Sequence, residues 1–207
     1  GVGSSNIGGI IGKGVGNVNI EGCSNFGTLN LDGVYSYVGG IIGSMETGYI
    51  NSSANYAAIT ANNAKYVGGI LGYVDNESFN GITSTLNVGK ITGKTFEITE
   101  NEKQYTMTPG EIVGYLGKHV ASSVYANYTL GENAFGVIID EALNPVSITS
   151  TKEELASGKI AYLLGSNFGQ KIDNLKEEET KDAYPLVGAT PVYQVTACDG
   201  TTIKYSN

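Results

Sequence analysis

The sequence predicts an all-β chain: a parallel β-helix or β-solenoid of about four coils, followed by a small α+β C-terminal cap. Three observations predict it. Two short sequence blocks recur in fixed order along the first two thirds of the chain, and a recurring block that cannot bury a face alone can bury one against a copy of itself. Glycine is abundant, 30 of 207 residues, without the every-third period of collagen, so it serves repeated tight turns. Composition also shifts near Ser150, where glycine thins and charge thickens, which marks a second module.

The first block is a hexapeptide. Ile7-Gly8-Gly9-Ile10-Ile11-Gly12 returns as Val38-Gly39-Gly40-Ile41-Ile42-Gly43, as Val67-Gly68-Gly69-Ile70-Leu71-Gly72 and, degenerately, as Ile112-Val113-Gly114-Tyr115-Leu116-Gly117. Its apolar offsets also fit a helix stripe, but three glycines in six positions would each cost a helix roughly 1 kcal/mol. Strands and corners are the better reading. In it Ile41, Ile42, Ile70 and Leu71 stack inside, and the glycine pair lets neighbouring backbones turn or approach closely. The second block holds Asn25, Asn55, Asn87 and Asn127, each placed at a turn with left-handed dihedrals or in a ladder of side-chain hydrogen bonds.

Between Gly93 and Pro109, Thr95 to Thr99 and Gln104 to Thr108 flank a polar stretch and read as a hairpin inserted near 95–108. The repeat domain therefore spans 1–149 and a capping module 150–207. In the latter, Thr151 to Glu154 has the spacing of a capping box that opens one helix over 152–164 closed by Gly165. Asp199-Gly200 then signals a two-residue turn in a hairpin over 191–205. Such a helix and hairpin would cover the last coil.

These residues resemble a known family. Val-Gly-Gly-Ile-Ile-Gly followed by Asn25-Phe26-Gly27-Thr28-Leu29 or Asn55-Tyr56-Ala57-Ala58-Ile59 is similar to the GLUG repeat of surface and secreted proteins of gut bacteria, which also occurs in non-catalytic parts of IgA-protease-type metallopeptidases. The resemblance covers about residues 1–130. The tail from Glu154 to Leu164, with Phe168-Gly169-Gln170, Tyr184-Pro185 and Cys198-Asp199-Gly200, looks like a segment that follows such repeats, with Phe168 where that pattern has Trp. The resemblance implies a β-helical, secreted or cell-surface region of a larger bacterial protein, and no catalytic residue. The chain begins almost inside a repeat and reads as an excised fragment.

The chemistry of the residues points the same way. All 12 basic residues are lysines against 20 acids, a net charge of −8, so no Arg-bearing groove exists to hold nucleic acid. No run of eighteen apolar residues is long enough to span a bilayer as a helix. With one histidine, His119, a His-Glu-x-x-His zinc site is impossible, and the sequence assigns no metal and no cofactor. Gly93-Lys94-Thr95 lacks the upstream glycine and the following helix of a phosphate loop. The compact carboxylate pairs are Asp75 with Glu77 and Asp140 with Glu141, the residues a glycosidase or lyase would use. Such acids in Gly- and Asn-rich stretches read more simply as solvated turns, so no catalytic, cofactor or metal residue is assigned. Cys23 and Cys198 read as free, buried and too far apart to bridge, with Cys23 in the slot of Ser53 and Thr85.

The expected function is a non-catalytic repeat module that contacts host or neighbouring-cell protein or glycan. Its expected contacts are tyrosine-bearing loops (Tyr35, Tyr37, Tyr49, Tyr56, Tyr66), the hairpin at 95–108 or the loop at 73–80. The alternative is a carbohydrate-active enzyme or the accessory domain of a secreted peptidase.

Overall fold

The structure, a computed structural model, describes residues 5–100, 102–118, 120, 123–140, 143–173, 180–196, 198, 200 and 203–207. The chain divides into two compact units, Gly1–Thr149 and Ser150–Asn207. The first is almost wholly β, with mostly parallel strands.

Each repeat contributes short strands in the same order. The first gives β1 (Asn6–Gly8), β2 (Ile11–Glu21), β3 (Ser24–Asn25) and β4 (Leu29–Asn30). The second gives β5 (Tyr35–Gly39), β6 (Ile42–Asn51), β7 (Ala54–Asn55) and β8 (Ile59–Ala61). The third gives β9 (Ala64–Gly68), β10 (Leu71–Val74), β11 (Phe79–Thr83), β12 (Leu86–Asn87) and β13 (Ile91–Gly93). An antiparallel hairpin follows, β14 (Phe96–Glu100) with β15 (Lys103–Met107). The unit ends with β16 (Val113–Leu116), β17 (Ser123–Tyr125), β18 (Asn127–Thr129), β19 (Phe135–Ile138) and β20 (Ser147–Thr149).

Equivalent strands pair in parallel. β1, β5 and β9 form one sheet; β3, β7, β12, β18 and β20 a second; β4, β8 and β13 a third. In the largest sheet β6 pairs β2 on one side, and on the other β10 along its first half and β11 along its second. Gly48 lies between those halves at φ 102°, a left-handed conformation in which a side chain would strike the Val18 backbone.

Parallel pairing brings like residues together. The row Ile11, Ile42, Leu71, Val113, Phe135 runs through successive strands. Ile41, Ile42, Ile50, Ile70, Leu71 and Ile82 are fully buried in the core of this unit. Burying each such side chain contributes about 1.5–3 kcal/mol, which offsets the ordering of short strands that no isolated repeat could hold.

The pairing corrects two alignments read from the sequence. Gly68 bridges Gly110 and Leu71 pairs Val113, so the fourth hexapeptide is Pro109-Gly110-Glu111-Ile112-Val113-Gly114 and not the stretch from Ile112 to Gly117. Asn87 pairs Thr129, so the asparagine position of the fourth repeat holds Thr129; Asn127 instead lies opposite Thr85, in the slot of Cys23 and Ser53. The pairing also adds a fifth strand to this row, β19, which the sequence does not announce: Val113 pairs Phe135 and Leu116 pairs Ile138.

The turn chemistry also differs from expectation. The recurring asparagines are not the left-handed residues; Gly22, Ser52, Ser84 and Ala126, each three positions before the asparagine or its substitute, have φ of 63°, 49°, 51° and 54°. This corner is the same in all four repeats, and it fixes the register of the fourth independently of the asparagine. Tyr35, Tyr37, Tyr49 and Tyr66 belong to strands rather than loops, and Tyr66 is buried. The loop expected at 73–80 is shorter, residues 75–78 between β10 and β11, and in it Asn76 Oδ1 accepts from Ser78 N at 2.8 Å.

In the second unit the expected single helix is two, α1 (Lys152–Ala156) and α2 (Lys159–Leu164), because Gly158 between them adopts φ 86°. The capping box is present: Thr151 Oγ1 accepts from Glu154 N at 3.1 Å and Glu154 Oε2 from Thr151 N at 3.2 Å. β21 (Phe168–Gly169) pairs β22 (Leu186–Val187), and β23 (Tyr193–Thr196) pairs β24 (Ile203–Ser206). Of the turn expected at Asp199-Gly200, Asp199 lies outside the described residues. Phe168, Leu155, Ile160, Ala161 and Leu164 are buried, and buried Gln170 donates from Nε2 to Leu155 O at 2.8 Å and Asp182 O at 3.0 Å.

Candidate functional site

Two polar assemblies dominate the repeat unit. The first is a buried row of asparagines. Asn25 Nδ2 donates to Asn55 Oδ1 at 2.8 Å, Asn55 Nδ2 to Asn87 Oδ1 at 2.8 Å, and Asn87 Nδ2 to the Glu111 carboxylate. Asn55 and Asn87 each also donate to the carbonyl two residues on, Ala57 and Gly89, at 2.9 Å. A fully buried amide is costly unless its donors and acceptor are used, and here they are used between repeats.

The second glycine of each hexapeptide explains the row's fit. A Cβ on Gly9, Gly40 or Gly69 would lie 2.6, 2.6 and 2.7 Å from the Cγ of Asn25, Asn55 and Asn87. Glycine is therefore required where the asparagine stands. In the fourth repeat both positions change together: Glu111 replaces the glycine and Thr129 the asparagine. The glutamate side chain fills the vacated space, accepts from Asn87, and is hydrogen-bonded by Thr129. Burial pushes the Glu111 carboxyl above the usual glutamate range, against the lowering effect of those two hydrogen bonds.

The second assembly is aromatic. Tyr37 and Tyr66 from one sheet interleave with Tyr73 and Tyr115 from another, with ring centroids 4.3 Å apart for Tyr37–Tyr73, 4.6 Å for Tyr66–Tyr115 and 4.9 Å for Tyr73–Tyr115. The inserted hairpin packs Phe96, Ile98, Tyr105 and Met107 on this stack, and Tyr115 Oη donates to the Glu100 carboxylate at 2.9 Å. Burial, reinforced by Glu100 and Asp75, drives the phenols of Tyr66, Tyr73 and Tyr115 above their ordinary range. They stay neutral at physiological pH, so none offers a phenolate nucleophile.

Of the acids singled out in the sequence, Asp75, Glu77 and Asp140 lie among the described residues. Asp75 follows β10 and is half-buried, while Glu77 is exposed in the turn before β11. Asp140 follows β19, and two strand steps separate β19 from β10, about 10 Å at ordinary strand spacing. Glu141 and His119 lie outside the described residues. Gly93 ends β13, and exposed Lys94 and Thr95 lead into β14, so this triplet precedes a strand. Both cysteines are free, but neither is buried as expected: Cys23 is half-buried and Cys198 exposed. Among the described residues no group of three or more His, Cys, Asp or Glu could hold a metal ion. Nor is any described helix long and apolar enough to cross a membrane.

Glu111 does share a shallow depression with a second acid, Glu132, and with Lys90, Thr92, Thr108 and Asn133. Sequence reasoning misses it because the degenerate hexapeptide at Ile112 lies three residues late. Aligned from Pro109, a glutamate in a glycine position stands out. Comparison of the chain with protein-family models, with curated proteins and with solved structures finds no match.

Proposed function

We propose that residues 1–149 form a β-solenoid of GLUG-like coils and that the chain is a non-catalytic, extracellular interaction domain of a larger bacterial surface or secreted protein. The observation that carries this reading is the asparagine row. The buried amides of the first three repeats are spent on holding one repeat to the next, and the acid with the raised pKa ends that row as a hydrogen-bond acceptor. The design is that of a stiff scaffold. Repetition of the two blocks and their resemblance to GLUG repeats support the extracellular assignment.

On this scaffold the hairpin is the individual feature. Its inner residues grip the tyrosine stack, while Glu97, Thr99, Gln104 and Thr106 form an exposed polar face, with Thr106 Oγ1 donating to Glu97 Oε1 at 2.8 Å. Uncharged hydroxyl and amide groups of this kind suit a glycan or a polar protein surface. A glycan and host-protein array tests the reading. Binding should weaken at least about tenfold in the triple variant Thr99→Ala, Gln104→Ala, Thr106→Ala with an unchanged melting temperature, since all three side chains are exposed. Binding indifferent to the triple variant would remove the hairpin as the contact.

One observation favours the enzymatic alternative: Glu111, with its raised pKa, and Glu132 line the same cleft. A glycosidase needs one protonated and one ionised carboxyl group. The non-catalytic reading expects no turnover of pectic, mucin or host-glycan substrates. Hydrolysis abolished by Glu111→Gln would establish the alternative.

A further inference from the structure

The Gly93-Lys94-Thr95 triplet, which lacks the features of a phosphate loop, has other company in three dimensions. Lys94 joins β13 to β14 and there lines a groove of about 350 Å³ with Tyr35, Asn62, Asn63, Lys65 and Phe96. Tyr35 opens β5, Asn62 and Asn63 turn the chain from β8 into β9, Lys65 lies in β9, and Phe96 opens the hairpin. Lys65 thus stands at the start of the third repeat and Lys94 just past its end. The winding of the repeat brings the two cations to one depression.

The walls of this groove are held from behind. Tyr35 packs on the apolar cluster that contains Val38, Ile59 and Val67, and its ring lies across Gly33, where a Cβ would come within 3.1 Å of Cζ. Phe96 packs on the tyrosine stack. Both rings are half-buried, so each is fixed on one side and open on another. Asn63 Nδ2 donates to Asp32 O at 3.1 Å, which ties the turn to the preceding repeat. Lys65 Nζ lies 4.9 Å from the centroid of the Tyr66 ring, a contact that orients its ammonium group. The chain as a whole carries a net charge of −8, yet no described acid lines this groove. The depression around Glu111 is the reverse, with two carboxylates and one lysine.

We propose that this groove binds an acidic saccharide, a pyranose ring bearing a carboxylate, through Lys65, Lys94 and the rings of Tyr35 and Phe96. The apolar C–H face of a pyranose covers an aromatic ring, and its hydroxyl groups suit the exposed amide of Asn62. Two ammonium groups give a carboxylate charge-assisted hydrogen bonds, which a neutral sugar would leave unused. A nucleic acid would need the basic track to continue, and the surrounding negative charge opposes a long polyanion. The inference rests on the reading of this unit as a binding module and names a ligand class for it. It uses Lys65 and Lys94 rather than Thr99, Gln104 and Thr106, so either contact can fail without the other.

Trigalacturonate and 3′-sialyllactose, titrated separately into the full chain at about 0.15 M salt and followed by amide chemical shifts, test the site and separate a uronic from a sialic acid source. At least one should give saturable shifts centred on Tyr35, Asn62 to Lys65 and Lys94 to Phe96. Its neutral counterpart, methyl-esterified trigalacturonate or lactose, should bind at least about tenfold more weakly. The double variant Lys65→Gln, Lys94→Gln should lose at least about tenfold in affinity at an unchanged melting temperature, since both side chains are exposed. The hairpin triple variant should bind as the parent chain does. Absence of saturable shifts with either saccharide at millimolar concentration would overturn the proposal, as would equal binding of the neutral counterpart or of a tetraglutamate peptide. Binding lost in the hairpin triple variant but intact in the lysine variant would overturn this site while keeping the interaction reading.

Discussion

Ala126 occupies the corner that Gly22 occupies in the first repeat, at φ 54°. A side chain in this left-handed region costs about 1–2 kcal/mol, tolerated here because the surrounding parallel strands fix the corner. Ala126→Gly should therefore stabilise the unit by about 0.5–1 kcal/mol in urea denaturation, after the extra freedom of glycine in the unfolded chain is subtracted. A loss of stability would mean that the corner is not held left-handed. Glu111 makes the second residue-scale prediction. Its folded pKa lies above its unfolded value, so its contribution favours folding below the ordinary glutamate pKa of 4.5 and is lost as pH rises through the folded value. At neutral pH the fold carries the cost of a half-buried carboxylate. Glu111→Gln keeps an oxygen that can accept from Asn87 and removes the charge, so it should raise the melting temperature at pH 7 by more than at pH 4. An equal effect at both pH values would contradict the burial argument.

At the scale of the element, the strands of each repeat are short and few are stable by themselves; register against the neighbouring repeat defines them. The coupled change from Gly69 and Asn87 to Glu111 and Thr129 gives a direct check of that register. Thr129→Asn alone should destabilise by about 1–3 kcal/mol, because the new amide meets the Glu111 side chain as overpacking. Adding Glu111→Gly should recover most of the loss by rebuilding the arrangement of the earlier repeats, a double-mutant coupling of at least about 1 kcal/mol in thermal or urea unfolding. Additive effects would place the two residues apart. The same register decides what is legible in the sequence. The hexapeptide of the first three repeats and the hairpin can be read directly, since Val38, Val67 and their glycines repeat almost unchanged; the asparagine can be read as a recurring position, but the choice between corner and ladder cannot. The fourth repeat cannot: Ile112-Val113-Gly114-Tyr115-Leu116-Gly117 mimics the hexapeptide three residues late, and only backbone pairing shows that Pro109 begins it. The helix break at Gly158 is equally hidden, because apolar periodicity runs through a glycine whose left-handed φ is set by tertiary packing.

At the scale of the whole repeat unit, burial grows inward from the first repeat, and the polar groups that hold it together are internal to it. That arrangement explains why candidate sites read from the sequence scatter. Asp75, Glu77 and Asp140 stand near other acids along the chain, whereas proximity in this architecture comes from equivalent positions about one repeat apart. The tyrosines look like loop residues for the same reason, since alternation along a strand says nothing of rings interleaving between sheets. Everything therefore rests on the parallel, in-register stacking of successive repeats. Nitroxide pairs on Asn30, Thr60 and Thr92, in a background with Cys23→Ser and Cys198→Ser, report it directly, because Asn30 pairs Thr60 and Thr60 pairs Thr92. Backbone separations of one and two strand steps, about 4.8 and 10 Å, predict strong spectral broadening for the 30/60 pair and weaker but clear broadening for the 30/92 pair. Spectra for both pairs indistinguishable from the sum of the single labels would contradict the stacking of the repeats.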